Sequence, residues 1–190
     1  LGYPCVAVED LTKYPSMLGG RVKTLHPAIQ GGILARRGHE TDQKEVLEYG
    51  LSLIDLVIVD LYPFEATVAS GASEEDIIEK IDIGGISLIR GAAKNFEDVV
   101  IIPSQADYAT LHEILRERGA RTTLEERRHF ARRAFAVSSH YDSAIFRYFD
   151  AEDHSALRLT ADEAKPLRYG ENPHQKGVFY GDLDRYFEQL

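Results

Sequence analysis

The hydrophobic pattern of this chain alternates between short β-branched runs and stretches with helical periodicity. Residues 54–59 and 99–102 are apolar runs of strand length, and a proline follows each of them. Two helical segments are predicted between these runs, at 73–81 and 86–94, with a Gly-Gly pair separating them. A strand, a helical crossover and a second strand in this order predict a parallel sheet, with both faces of the first strand buried.

The second half of the chain is predicted to be helical before its pattern fades. Residues 105–118 have helical periodicity through Tyr108, Leu111 and Leu115. A capping box at Thr123 predicts the start of a further, long helix. The periodicity weakens between residues 150 and 166, which indicates a boundary. We therefore divide the chain into domains 1–155 and 156–190.

Composition and charge narrow the function classes. The chain has 190 residues, of which 44% are hydrophobic and 28% charged, as is usual for a soluble α/β protein. No apolar run approaches the roughly 20 residues of a membrane span, so no membrane partner is expected. The lone Cys5 and the lack of a secretory pattern near the first residue favour a cytoplasmic location. A net charge of −9 argues against nucleic acid as a partner but allows a phosphorylated small molecule.

Candidate chemistry is concentrated where the first strand ends and where a helix begins. Asp60 and Tyr62 follow the strand, and ligands of parallel sheets bind beyond the carboxyl ends of the strands. The turn at 82–85 enters a helix, whose free amides favour an anion. Such a turn is by itself more often a plain helix junction than a site, and a half-buried packing role explains Tyr62 equally well. His26 has no second ligand at metal-binding spacing, so no metal site is predicted.

Four longer motifs together are more specific than these local features. They are MLGGRVKTLHP at 17–27, LYPF at 61–64, IDIGG followed by AAKN within 81–95, and LRYGENPHQ at 167–175. In this order and spacing the chain resembles the AICAR transformylase/IMP cyclohydrolase family over essentially its whole length. The resemblance implies a methylglyoxal-synthase-like parallel sheet flanked by helices. It also implies dehydrative ring closure of 5-formamidoimidazole-4-carboxamide ribonucleotide, a purine nucleotide substrate, to IMP.

The resemblance also implies the residues of the cyclohydrolase site, which needs no cofactor or metal. The implied catalytic residues are Lys23, Tyr62, Asp82 and Lys94. The implied substrate-binding residues are Arg21, Val22, Thr24, Val59, Asp60, Ile83, Gly84 and Asn95. Our hypothesis is that Lys23 stabilises the oxyanion and Tyr62 assists the departing oxygen. Asp82 and Lys94 would lie close together and transfer the protons.

The last motif implies a second activity, which we do not expect from this chain. Arg168 and Tyr169 match substrate contacts of the transformylase domain, whose cofactor is 10-formyltetrahydrofolate. The catalytic Lys-His pair of that domain would lie beyond Leu190. The family is dimeric, so a homodimer is expected.

The chain also departs from the family pattern. Asp60 occupies a position where Asn is common, Gln30 one where His is common, and Gly91 one where Ala is usual. The family's earlier Ser-Asp-Lys and Gly-Gly-Thr phosphate-binding segments have no counterpart here. The N-terminal strand and helix of the sheet are therefore expected to be missing, with sheet surface exposed.

Three alternatives remain open at this stage. Methylglyoxal synthase shares the fold and binds a phosphorylated substrate, but GRVKTLHP and IDIGG are not part of its pattern. A non-catalytic nucleotide sensor would have no need of Lys23, Asp82 and Lys94 together. An inert structural fragment would show no rise in melting temperature when IMP is added.

Overall fold

The computed structural model describes residues 2–161 and 164–181. In chain order, the helices of the described residues are α1 Val8–Thr12, α2 Pro27–Leu34, α3 Glu40–Glu48, α4 Phe64–Ala69, α5 Glu74–Ile78, α6 Ile83–Lys94, α7 Tyr108–Arg118 and α8 Leu124–Phe149. The strands are β1 Leu56–Ile58, β2 Val100–Ile102, β3 Ala164–Pro166 and β4 Val178–Tyr180, and short 3₁₀ helices span Leu18–Gly20 and Gln105–Asp107.

The predicted parallel sheet is confirmed. β1 and β2 pair in parallel with Val57 opposite Ile101, and the chain between them forms α4, α5 and α6. All of β2 is buried, but in β1 only Val57 is. Leu56 and Ile58 are 37% and 48% exposed, so the predicted burial of both faces of β1 is wrong. No other described strand pairs with β1, and its second face lacks a described layer over it.

α6 packs on the sheet and α2 packs on α6, and the two helices form much of the core. Ile29 and Ile33 of α2 are one turn apart and therefore face the same side. α6 contributes Ile89, Ala92 and Ala93, which recur at helical spacing and are at most 2% exposed. The two alanines allow the helix backbone to approach its neighbours closely, so small side chains at this face set the position of α6.

Hydrogen bonds from side chains fix where the helices begin. The predicted capping box at Thr123 is complete, whereas at Ser73 the Asp76 carboxylate accepts from the Ser73 hydroxyl at 2.7 Å and not from the Ser73 amide. The Ser73 hydroxyl accepts from the Asp76 amide at 3.2 Å, and Thr123 and Glu126 cap each other's amides at 3.2 and 2.8 Å. α6 begins at Ile83, three residues earlier than predicted, so its glycines lie inside the first turn instead of breaking the helix.

Contacts divide the chain into two compact units between Ser138 and Ser139, within α8. The boundary at 155/156 therefore stays a prediction. In the second unit, the segment after α8 packs on the end of that helix, where the Arg158 guanidinium lies 3.7 Å from the Phe146 ring centre. β3 and β4 form an antiparallel hairpin in the same unit. Among the described residues, no helix is both long and apolar enough to cross a membrane.

Candidate functional site

The loop at residues 21–24 lies against the turn that begins α6. The Thr24 Oγ1 atom is 2.6 Å from the point that a Cβ at Gly84 would occupy. The Arg21 guanidinium forms an ion pair with Glu79 just before this turn. Two of the motifs, which are about 60 residues apart in the sequence, therefore meet in space at a junction that we call the Thr24–Gly84 junction.

Asp82 has a structural role at this junction. Its carboxylate caps α6 by accepting a hydrogen bond from the Gly85 amide at 2.6 Å. A Cβ at Gly85 would lie 2.5 Å from the Asp82 carboxylate, which explains why a glycine occupies this position. The predicted anion cradle is thus partly occupied, because the protein's own carboxylate already satisfies one first-turn amide.

Lys23 projects into a shallow cleft on the same loop. Its Nζ lies 3.1 Å from the Glu9 carboxylate of α1. Val22 and His26 line this cleft, whose empty volume is about 250 Å³. The pKa of Glu9 lies below its ordinary value because the carboxylate accepts a bond from its own backbone amide and, secondly, from Lys23. The ammonium group of Lys23 is therefore paired with a carboxylate.

Tyr62 contacts the segment that precedes the Asp82 turn. It is 54% exposed, so about half of its surface is covered by the protein. The Lys80 ammonium lies 5.4 Å from its ring centre, within the range of a cation–π contact. This contact brings a third motif next to the segment 79–84.

Asp60 and the carboxyl ends of both parallel strands form a second cluster. The Tyr108 hydroxyl donates to Asp60 Oδ2 at 2.6 Å, and Gln105 Nε2 donates to the same oxygen at 3.3 Å. Val59, which precedes Asp60, donates its amide to the Ile102 carbonyl at 3.0 Å and thereby continues the sheet. The sequence indicated Asp60 but not its two partners.

Lys94 is separated from the rest of the predicted catalytic group. Asp82 caps one end of α6 and Lys94 is the last residue at the other end, after 12 residues. At 1.5 Å per residue their Cα atoms are about 18 Å apart, beyond the combined reach of the two side chains. The predicted close pairing of Asp82 and Lys94 is therefore wrong, because a helix of this length holds the two residues apart.

Lys23 lies near the start of α6, whereas Lys94 lies at its end. The order of contacts along α2 shows this. α2 runs in the same direction as α6, since Thr24 precedes α2 and lies at the start of α6, while Asn95 follows α6 and bonds the end of α2. The cleft next to Lys23 is not lined by Lys94. The structure thus brings Lys23, Asp82 and Tyr62 to one region and leaves Lys94 outside it.

Asn95 has a buried structural contact. Its side chain is 7% exposed, and its Nδ2 donates to the Ile33 and Ala35 carbonyls at 2.9 and 3.1 Å. These bonds satisfy carbonyls at the end of α2, which would otherwise lack a helical partner. Ile83, by contrast, is 59% exposed at the first position of α6. Substrate contacts of Asn95 and Ile83 stay predictions.

Two of the departures from the family pattern lie side by side. Gln30 Nε2 donates to the Ser87 hydroxyl at 3.0 Å and to the Thr24 carbonyl at 3.4 Å, so it links α2, α6 and the loop. Its Oε1 lies 3.2 Å from the point that a Cβ at Gly91 would occupy. Gln30 and the missing side chain of Gly91 therefore share one space.

Arg168 and Tyr169 lie in the loop of the β3–β4 hairpin, in the second unit. The loop closes through bonds from the Gly170 amide to the Gln175 carbonyl at 2.8 Å and from the Leu167 amide to the Gly177 carbonyl at 2.9 Å. Tyr169 is 53% exposed. Nothing in this geometry tests their predicted contact with a transformylase substrate.

Side chains that could ligate a metal do not cluster among the described residues. His26 is instead a helix cap, because its Nδ1 accepts from the Ala28 amide at 3.1 Å. Arg127 and Arg133 of α8 both form hydrogen bonds to residues outside that helix. Arg127 donates to the Phe96 and Glu97 carbonyls at 2.9 and 2.8 Å.

Comparisons with known proteins place these features in a class. Residues 1–87 match the model of the MGS-like domain, in agreement with the parallel α/β fold. Residues 92–189 match the model of the AICARFT/IMPCHase bienzyme. The chain belongs to the AICARFT/IMPCHase bienzyme family, which confirms the resemblance drawn from the four motifs.

Individual relatives agree with this assignment. "Bifunctional purine biosynthesis protein PurH" of Bacteroides thetaiotaomicron is 69% identical over 190 residues, which are 100% of this chain and 38% of that protein. The protein of the same name from Rhodospirillum rubrum is 48% identical over 95% of this chain and 35% of its own length. A solved structure described as "Crystal structure of ForH" has a TM-score of 0.61 and 38% identity, covering 75% of this chain and 74% of that one. The chain thus spans little more than a third of the PurH relatives.

Proposed function

We propose that this chain supplies the IMP cyclohydrolase part of a bifunctional enzyme of purine biosynthesis. The reaction closes the ring of 5-formamidoimidazole-4-carboxamide ribonucleotide to give IMP and water. The main supporting observation is the Thr24–Gly84 junction, which joins the loop of Arg21 and Lys23 to the Asp82 turn. The names of the PurH relatives point in the same direction.

The chemistry requires a weak nucleophile to be positioned and charge to be stabilised. The carboxamide nitrogen attacks the formyl carbon, a C–N bond forms, and a proton passes from that nitrogen to the former carbonyl oxygen. The resulting hydroxyl leaves as water together with the proton of the formamide nitrogen, which completes the ring. In the proposal Lys23 stabilises the oxyanion, and Tyr62 orients or protonates the departing oxygen.

Asp82 is suited to accept a proton in a fixed position, because the Gly85 amide restrains its carboxylate. Lys23 must first exchange Glu9 for the substrate, so Glu9 competes with the reaction's own negative charge. Lys94 stays in the proposal only because it matches the family motif, and it acts without direct contact to Asp82. The ring closure uses no cofactor or metal, whereas 10-formyltetrahydrofolate belongs to the transformylase reaction, which we do not propose for this chain.

The proposal is tested in a chimera in which this chain replaces the matching 190 residues of the Bacteroides thetaiotaomicron relative. Cyclisation is followed by the ultraviolet absorbance of IMP. We expect Lys23→Ala to lower kcat by about a hundredfold or more, as for loss of an oxyanion donor. Lys44→Ala, at an exposed position of α3, is the matched control and should be neutral.

Two outcomes would count against the proposal. An unsubstituted chimera that folds but does not cyclise, beside an active parent, would refute the function. Near-normal turnover of a folded Lys94→Ala chimera would remove Lys94 alone. A purine nucleotide substrate, a homodimer and a cytoplasmic location are further parts of the proposal.

A further inference from the structure

Two residues that follow β2 hold the Asp60 side chain by hydrogen bonds. Both Tyr108 and Gln105 donate to its Oδ2, at 2.6 and 3.3 Å. Oδ1 receives no hydrogen bond from any residue that the structure describes. One oxygen of the carboxylate is therefore fixed, and the other is available to accept a hydrogen bond at the carboxyl end of β1.

The donor residues are themselves held in place. Asp107, between Gln105 and Tyr108, is 6% exposed and pairs with Arg133 Nε at 3.2 Å. Its carboxylate also accepts from the Ser104 hydroxyl at 3.4 Å. An ion pair with a buried carboxylate thus anchors the short segment that carries both donors.

The free oxygen defines what it can bind. An ionised carboxylate only accepts hydrogen bonds, so it pairs with an N–H or O–H donor and repels a phosphate group. The phosphate of a nucleotide would therefore lie away from Asp60, and the base towards it. The amide N–H of the base is the matching donor, since the carboxamide nitrogen of the substrate and N1 of IMP both carry a hydrogen.

We propose that Tyr108 and Gln105 are positioning residues that orient Asp60 to accept the amide N–H of the purine-type base. This inference rests on the proposed function and deepens it, because it assigns the orientation of the nucleotide. The Tyr108–Asp60 bond is charge-assisted, and O–H···O⁻ bonds of this kind are short and strong. The pKa of Tyr108 is raised because its hydroxyl donates to Asp60, so the donor stays protonated at working pH.

Of the two hydrogens on the carboxamide nitrogen, one leaves during ring closure and the other stays as the N1–H of IMP. Asp60 accepts the hydrogen that stays, so the expected effect is on binding and not on the chemical step. In the chimera, Tyr108→Phe should raise KM by about three- to tenfold, the value of one such hydrogen bond, with kcat within about twofold. In an Asp60→Ala background the same change should alter KM by less than about twofold, since Tyr108 acts only through Asp60. Tyr49→Phe removes a hydroxyl from a 67% exposed tyrosine elsewhere and should change nothing.

A purely structural role for Tyr108 would give a different result. The same rise in KM in both backgrounds, a fall in kcat alone, or no effect of Tyr108→Phe would each overturn the inference. Dissociation constants of IMP can be measured by calorimetry for the unsubstituted chimera, Tyr108→Phe, Asp60→Ala and the double variant. These constants decide the inference even without turnover. An active chimera that lacks this coupling refutes the orientation of Asp60, whereas IMP binding with the coupling but without turnover refutes the catalytic proposal alone.

Discussion

Replacement of Gly84 by alanine tests whether close packing at the Thr24–Gly84 junction sets the position of the loop. The added Cβ would lie 2.6 Å from Thr24 Oγ1, about 0.8 Å short of the 3.4 Å at which ordinary contact begins. Overpacking of this kind costs about 1–3 kcal/mol. Alanine in a helix recovers up to about 1 kcal/mol relative to glycine. We therefore expect a net loss of about 1 kcal/mol.

A double-mutant cycle measured by thermal melting separates the two contributions. Gly84→Ala alone should lower Tm by about 2–4 °C in a chain of this size. In a Thr24→Ala background the clash is gone, so the same change should raise Tm through helix propensity. Gly38→Ala, where an added Cβ meets no atom within 4 Å, serves as the control. A rise in Tm for Gly84→Ala in both backgrounds would show that Thr24 is not held against the turn.

Three further predictions concern single contacts. Asn95→Ala should destabilise the chain by about 2–3 kcal/mol in urea unfolding, because it leaves two carbonyls at the end of α2 unpaired; a loss below about 0.5 kcal/mol would contradict the buried bonds. Thr123→Ala should cost about 1 kcal/mol by removing the cap of α8, whereas Thr110→Ala, exposed within α7, should not. Glu9→Gln should lower Tm at neutral pH. The pKa of Glu9 is lowered from 4.5, so its contribution to stability is present above pH 4.5 and is lost as the pH falls through the lowered pKa. A difference in Tm between Glu9→Gln and the unsubstituted chain that persists in acid would refute this.

The parallel sheet and the helix caps could be predicted because their causes are local. The runs at 54–59 and 99–102 are apolar and β-branched, and the Thr123 capping box consists of residues three apart. The start of α6 was misplaced because Gly84 and Gly85 suggest a break by composition. Gly84 is required by a tertiary contact, because an added Cβ would meet Thr24. Gly85 is required because an added Cβ would meet the Asp82 side chain. No sequence pattern shows a contact of that kind.

Site residues divide in the same way. Asp60 was found because it directly follows a strand, whereas Tyr108 belongs to a helix whose periodicity assigned it to the core. It is 41% exposed, and its hydroxyl is used instead. The pairing of Asp82 with Lys94 was wrong because motif membership says nothing about distance along a helix. Motif membership therefore indicates candidate residues but does not show which of them meet in space.

The space that Gln30 shares with Gly91 limits which substitutions the α2–α6 interface can accept, whether by design or in evolution. A methyl group at position 91 and a long amide at position 30 compete for the same volume, since an added Cβ at Gly91 would lie only 3.2 Å from Gln30 Oε1. A smaller residue at 30 would instead leave a void and free the Ser87 hydroxyl. Either change made singly should be unfavourable, whereas both together restore a filled interface. If α2 or α6 is exchanged with that of a relative that has histidine at position 30 and alanine at position 91, the exchange would succeed only if both positions are replaced together.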